Sequence, residues 1–340
     1  MQHHNTVLIL GARGRFGLAA ARAFAAAGWR VLGQTRPGAD APSDVPVQWL
    51  KLDLHNTQAL AQAAQGAAVV VHALNPAYTN KAWQADVVPM TEAAIALARA
   101  LDATLMLPGN IYNFGATMPA LLREGTPQTA KTIKGQVRIT MEQRLQQSGV
   151  RSIVLRAGDF FGGGRGTWFD TAMVKDIRKG VFTYPGPKDV SRAWAYLPDL
   201  ARAFVAVADK RATLADFEVL HFAGHRITGQ RWLDVLTPVA RAQGWIKADA
   251  MLRFSGLPWM IIRLGALVLP TWGALLEMRY VWQVPHALAN DKLCALIGEE
   301  PHTNLQLAAQ LALVDLGLLG PASRPFASVS DTVGPTVVSP

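Results

Sequence analysis

The chain has 340 residues, half of them hydrophobic and 17% charged, with a formal net charge of +9. That length exceeds one ordinary core, and that apolar content excludes a disordered chain. The single cysteine, Cys294, excludes an internal disulfide framework and a cysteine-only metal site, and it fits a reducing, cytoplasmic compartment.

The positive charge is scattered. Its densest motif is Arg13-Gly14-Arg15, and no basic run with interleaved aromatics marks a nucleic-acid surface. Such a field instead favours small anionic ligands. Met1 to Thr6 is polar and leads directly into an apolar strand, which is not a signal-peptide pattern. The most hydrophobic stretch, Phe254 to Leu276, is interrupted by Pro258, Arg263 and Pro270. Its longest uncharged run, Leu264 to Leu276, has 13 residues, short of the ~20 that span a bilayer. It reads as a buried or interface helix, and no transmembrane segment is expected.

Strand and helix signals alternate through the first half. Thr6 to Gly11 is a continuous apolar run, as for a strand buried on both faces, and the alanine-rich Gly14 to Ala27 reads as a helix ended by Gly28. Strands follow at Arg30–Thr35, Val47–Leu52, Ala67–Ala73 and Ala103–Leu107, with helices at Asn56–Ala64 and Ala82–Leu101. A helix at Thr132–Gln147 precedes a strand at Ser152–Arg156. Beyond it the sequence predicts a flexible glycine loop at Gly162–Gly166, a helix at Leu200–Ala208, a strand at Glu218–Phe222, and helices at Gly229–Ala242 and Asn304–Leu318. The rhythm predicts an α/β fold with a Rossmann-type doubly wound parallel sheet and a smaller C-terminal substrate subdomain. The expected division is 1–160 for the dinucleotide-binding domain, with core elements also near 190–225, 161–320 for the substrate subdomain, and a mobile tail at 321–340.

Gly11-Ala-Arg13-Gly14-Arg15-Phe16-Gly17 sits between the first strand and the first helix. Glycines there let the backbone turn tightly and approach a pyrophosphate, whose charge the helix N-terminus meets. The second strand ends in Gln34-Thr35-Arg36, nineteen residues past Gly17, without the acid that usually holds a ribose 2′-hydroxyl. Arg36 and Arg13 are suited to pair with a 2′-phosphate, so NADP(H) is favoured over NAD(H).

The Gly-x-x-Gly-x-x-Gly spacing resembles the short-chain dehydrogenase/reductase superfamily, and further motifs resemble its extended or atypical branch, which holds the NAD-dependent epimerases and dehydratases. The resemblance implies an adenine contact at Asp53-Leu54, a backbone passing beneath the cofactor at Ala73-Leu74-Asn75, and cofactor contacts at Pro108 and Arg138. Leu155 to Gly162 resembles the strand-end motif beside the nicotinamide. Ala195-Tyr196-Leu197-Pro198-Asp199 resembles the helix start that follows it, with Asp199 expected as the N-cap.

The pattern then departs from the family. Asn110 stands at the usual serine or threonine position, and with Glu142 anchoring the register, Lys134 and Arg138 replace the tyrosine and lysine of Tyr-x-x-x-Lys. Desolvation beside Arg138 should lower the Lys134 pKa and make it an acid–base group, while Arg138 remains a donor to ribose hydroxyls. Tyr112 is either a substitute proton donor or a packed aromatic, and Asn110 either a substrate donor or a turn former. The catalytic candidates are therefore Lys134, Tyr112, Asn110 and Arg138. Tyr78, Asp159, Trp168 and Trp194 are the candidate substrate contacts, and no metal site is expected. Two readings stand: an NADP(H)-dependent oxidoreductase or epimerase-like enzyme on a small carbonyl or hydroxyl substrate, able to form a homodimer, or a non-catalytic NADP(H) sensor.

Overall fold

A computed structural model describes residues 5–40, 42–43 and 45–320. His3, His4 and the tail at 321–340 lie outside the described residues. In chain order come β1 (Thr6–Leu10), α1 (Arg15–Ala26), β2 (Arg30–Thr35), β3 (Gln48–Lys51), α2 (Thr57–Ala63) and β4 (Ala67–His72). Next are α3 (Asn80–Ala100), β5 (Thr104–Gly109), the short β6 (Leu121–Leu122), α4 (Ile133–Gln147) and β7 (Ser152–Arg156). Apart from β6, which the sequence did not announce, the expected boundaries for these elements hold to within three residues.

The second half is more irregular. It holds β8 (Asp159–Phe161), β9 (Val181–Tyr184), β10 (Arg192–Tyr196), α5 (Leu197–Lys210), β11 (Phe217–His221), β12 (His225–Ile227) and α6 (Gly229–Ala242). Then follow β13 (Arg253–Gly256), α7 (Trp259–Gly265), α8 (Pro270–Glu277), β14 (Ala287–Leu288), α9 (Asp291–Ile297) and α10 (Leu305–Asp315).

Seven strands form one parallel sheet in the order β3-β2-β1-β4-β5-β7-β11. Alternate residues of each central strand feed opposite faces, as the 2-residue period requires. Val7, Ile9, Val69 and Val71 pack with α1 and α5 residues such as Phe24 and Phe204. Leu8, Leu10, Val70 and Leu105 pack with Leu97 of α3 and Met141 of α4 on the other face. The chain therefore forms a Rossmann-type doubly wound sheet. Its order reverses between β1 and β4, and the crevice at the carboxyl ends of those strands is where such sheets take ligands.

A separate apolar cluster gathers Phe161, Phe182, Tyr184, Trp194, Trp232 and Leu313 from the second half. Two expectations fail here. Asp199 is not the N-cap of α5, because that position is Tyr196. Asp199 is instead buried in the first helical turn, where it accepts hydrogen bonds from the amide and hydroxyl of Thr303 at 2.6 and 2.7 Å. The stretch Phe254–Leu276 is not a buried helix either. Its two prolines divide it into α7 and α8, and the join projects outward, with Leu267 88% and Val268 80% exposed. Among the described residues no helix is long and apolar enough to cross a membrane.

Candidate functional site

The chain leaves β1 through Gly11, whose φ of +70° is costly for any residue with a Cβ. A Cβ there would also lie 3.0 Å from Leu74 Cδ2, and one on Gly17 would lie 2.5 Å from the Gly11 carbonyl. The turn is thus closed by backbone packing. Buried Gln34 fixes it from the side: its Oε1 accepts from the Gly11 amide at 3.2 Å, and its Nε2 donates to the Leu52 carbonyl at 2.9 Å.

Helix α1 starts without a side-chain cap, as α5, α7, α8 and α9 do, whereas five other helices are capped. Side-chain oxygens of Asn56, Thr79, Thr132, Thr228 and Asn304 cap α2, α3, α4, α6 and α10. Helix α1 begins at Gly14 with no side-chain cap and no acid in its first turn. Its first amides and its positive dipole end are therefore available to an anion.

Arg13 and Arg36 are exposed near this turn, and among the described residues their side chains make no hydrogen bond or ion pair, so their charges are free for a phosphate. Arg15 instead reaches sideways, donating to the Arg165 carbonyl at 3.5 Å. The glycine loop expected to be flexible is docked at both ends, since the Gly163 amide donates to Asp315 of α10 at 2.9 Å. Phe16 is buried against Phe204. Asp53 is exposed with one oxygen occupied by the His55 amide at 2.8 Å, while Leu54 is buried beneath it. Ala73 and Leu74 follow β4 against Gly11, Asn75 is exposed, and half-buried Pro108 lies near the end of β5.

Helix α4 brings Lys134 into a cage of aromatics and amides. Its side chain has no exposed surface, and Nζ donates to Asn80 Oδ1 of α3 at 2.5 Å and lies 4.0 Å from Glu277 Oε2. It sits over the Tyr78 ring, 4.6 Å from the centroid, and 5.5 Å from that of Trp83. Burial pulls its pKa down to about 8 against the opposing pull of Glu277. The expected fall is present, but Arg138 is not its cause. Arg138 lies over the other part of the cage, 5.1 Å from the Trp83 centroid, where desolvation lowers its own pKa.

Tyr112 packs beside Trp83 with centroids 6.2 Å apart, and burial, reinforced by the charge of Asp159, raises its pKa to about 12. Burial also raises that of Tyr78. Both phenols stay protonated at neutral pH. Asn110 acts as a turn former, its Oδ1 accepting from the Tyr112 amide at 3.0 Å. The Tyr78 hydroxyl, Trp83 Nε1, Arg138 Nε and Glu277 Oε2 are buried without a hydrogen-bond partner. Buried polar atoms normally find partners, so these four leave hydrogen-bonding capacity open in the cage.

A second polar group adjoins the cage. Asp159 of β8 forms an ion pair with fully buried Arg192 of β10, whose guanidinium lies 3.6 Å from the Trp282 ring centroid. Arg192 Nε and Nη1 remain without acceptors. Trp168 is half-buried and meets Trp282 edge-on at 5.0 Å. Trp194 is wholly buried in the aromatic cluster.

The seven-stranded order, the glycine turn and the α3, α4, β8 and β10 parts of this cleft fall within the segment that a family model recognises, while Glu277 and Trp282 lie beyond it. The model of the NAD dependent epimerase/dehydratase family matches residues 7–221. The chain belongs to that family.

Solved structures agree on the fold. WbmH of Bordetella bronchiseptica, in complex with NAD+, is 15% identical with a TM-score of 0.69, over 92% of this chain and 98% of that one. A UDP-galactose 4-epimerase is 17% identical with a TM-score of 0.68, over 92% and 98%. TunA, an NAD-dependent NDP-hexosamine 5,6-dehydratase, is 14% identical with a TM-score of 0.67, over 92% and 97%. None of the curated proteins compared matches the chain.

The residues present fit the family's dinucleotide. The uncapped start of α1, the close approach that Gly11 and Gly14 allow, and two unpaired arginines suit its phosphates. Sequence reasoning missed four positioning residues: Gln34, Asn80, Arg192 and Glu277. Arg192 stands just ahead of a motif that was recognised, so a signal existed. Glu277 is 144 residues from Ile133, whose amide it accepts from, and nothing local announces that contact.

Proposed function

We propose that this chain is an NADP(H)-dependent oxidoreductase acting on a small carbonyl or hydroxyl compound, with Lys134 as the proton-transfer group. The observation that carries the reading is the buried Lys134 ammonium, poised near pH 8 between Asn80, Glu277 and the Tyr78 ring. Its pKa lies closer to neutrality than those of Tyr78 and Tyr112, and a general acid works best near neutrality. The dinucleotide supplies hydride exchange when bound. Lys134 gives a proton to the substrate oxygen or takes one from it, Tyr112 and Tyr78 donate hydrogen bonds to that oxygen, and Asn80 orients the ammonium. Arg36 and Arg13 support the preference for NADP(H), because β2 ends in Gln34-Thr35 ahead of Arg36 without the acid that holds a free 2′-hydroxyl. The names of the structural neighbours make nucleotide sugars the first compounds to screen.

One observation favours a second reading, a protein that binds NADP(H) and reports on it without turnover. Lys134 has no exposed surface, and its nitrogen already has both Asn80 and Glu277 as partners.

Calorimetric titration with NADPH, NADH and their oxidised forms, followed by NADPH consumption with carbonyl compounds, separates the readings. NADPH should bind tightest, and Arg36→Ala should weaken it roughly tenfold to a hundredfold while sparing NADH. Turnover abolished by Lys134→Ala supports the enzyme. Tight binding without turnover supports the sensor, and no binding of any dinucleotide overturns both.

A further inference from the structure

The α7–α8 hairpin carries the most exposed apolar surface among the described residues. Met260 is 81%, Leu264 70%, Leu267 88% and Val268 80% exposed, with Ile261 and Leu269 beside them. Met260, Ile261 and Leu264 follow helical spacing on α7 and share one outward side, and Leu267 and Val268 stand exposed in the turn that follows it. The hairpin is nonetheless preformed. Gly265 lets the Trp272 ring pack directly against it, where a Cβ would come within 2.3 Å, and Ile262 and Ala274 are buried inside. Its base is fixed by a Trp259 Nε1 bond to the Pro185 carbonyl at 2.8 Å and by Glu277 on the Ile133 amide. Six large apolar side chains exposed together on one preformed hairpin point to an interaction site rather than to chance exposure.

Charge says what the partner is. From Leu252 to Met278 the only acid is Glu277, and it points inward at α4. Arg263 lies within the patch, and Arg279 sits at its foot against Trp259. Where β13 enters α7, a cavity of about 380 Å³ opens, lined by Lys175, Lys179, Arg253, Thr183, Ser255 and Pro258. Asp176 in the same wall pairs with Lys179 at 2.8 Å and approaches Lys175 at 4.0 Å, leaving Arg253 without an acceptor and the cavity net positive. An apolar wedge beside a basic pocket matches an anionic bilayer surface: acyl chains for the wedge, phosphate headgroups for the pocket.

We propose that the α7–α8 hairpin docks the protein on anionic membrane lipid, with Met260, Leu264, Leu267 and Val268 entering the interface and Lys175, Lys179 and Arg253 meeting headgroup phosphates. This inference is independent of the dinucleotide chemistry. It also accounts for the hydrophobic stretch that is too short to span a bilayer and too exposed to serve as core.

The test is flotation of the full chain with vesicles of phosphatidylglycerol and phosphatidylcholine in equal parts, against vesicles of phosphatidylcholine alone. The chain should float with the anionic vesicles, less so at high salt. Binding should fall at least roughly tenfold in Leu264→Asp/Leu267→Asp, whose exposed positions leave folding intact. Lys179→Ala/Arg253→Ala should lower binding to anionic vesicles only. No flotation, or equal flotation of the Leu264→Asp/Leu267→Asp variant, overturns the proposal. So does a dimeric mass by light scattering that the same variant converts to a monomeric one, because the patch would then belong to a second copy of the chain.

Discussion

Lys134 Nζ on α4 and Asn80 Oδ1 on α3 lie 2.5 Å apart, with Glu277 Oε2 of α8 4.0 Å from the same nitrogen. Both partners favour the charged lysine, while burial disfavours it, and the balance sets its pKa at about 8. Carbonyl reduction needs the proton on Lys134, so its rate should be flat below pH 8 and fall above it, while alcohol oxidation should rise through the same pH. Glu277→Gln removes a charge that supports the ammonium and should move that limb to lower pH. Lys134→Ala should lower kcat by about 10²- to 10⁴-fold. The check is a pH–kcat profile of each variant; a limb that ignores Glu277→Gln would remove Lys134 from proton transfer.

Buried histidines make a different pH prediction. Burial lowers the pKa of His72, His221 and His286 to about 3, and that of His225 to about 4. In the unfolded chain they titrate near 6.5. Between these values the unfolded state binds more protons, so stability is full above 6.5 and is lost as pH falls toward 4. Four such groups allow a slope of up to about 5 kcal/mol per pH unit near pH 5, comparable with a whole domain's stability. Urea melts followed by tryptophan fluorescence should show a steep loss from pH 6 to 4.5, with proton uptake on unfolding. A flat profile would show that these rings are solvated.

The sheet was legible in the sequence because parallel strands buried on both faces read as continuous apolar runs, and β2 and β7 match their expected bounds to the residue. The glycine turn was legible because its residue types answer to backbone geometry alone. The cage around Lys134 was only half legible. Lys134 could be placed by spacing along α4, but its partners come from α3 and α8, and no sequence period links three helices that meet only in the fold. The hairpin was also half legible, its reading left open between a buried and an interface helix, for a related reason. Composition shows that a segment is apolar, but not whether anything packs against it.

Arg156 of β7 and Glu142 of α4 form a nearly solvent-free pair at 2.5 Å. Glu142 is bonded further by Gln128 at 3.0 Å, and His221 Nε2 lies 3.4 Å from Arg156 Nη1. Removing one partner strands a buried charge, so Arg156→Met should destabilise the chain by about 3–5 kcal/mol. Replacing both, in Arg156→Met/Glu142→Met, should recover most of that loss, because the cost lies in the unpaired carboxylate. Urea midpoints of the two variants test this, and equal losses would mean that the pair itself, rather than the stranded charge, supplies the stability.

The two inner glycines of the nucleotide turn should separate packing from ligand approach. A Cβ on Gly17 would lie 2.5 Å from the Gly11 carbonyl and 2.8 Å from Ala12 Cα, both backbone atoms that cannot step aside. Gly17→Ala should therefore destabilise the fold by about 1–3 kcal/mol even without dinucleotide. Gly14 has an ordinary φ of −69°, and a Cβ there would meet only the Gly11 carbonyl at 3.1 Å and the Ala73 carbonyl at 3.8 Å, on the exposed side of the turn. Gly14→Ala should fold with a nearly unchanged melting temperature. Its methyl would still keep a pyrophosphate off the backbone, so NADPH affinity should fall roughly tenfold or more. Calorimetric titration and thermal melts of the two variants supply both readings. If Gly14→Ala binds NADPH as well as the parent chain does, the phosphates do not approach across this turn, and α1 is left uncapped for some other reason.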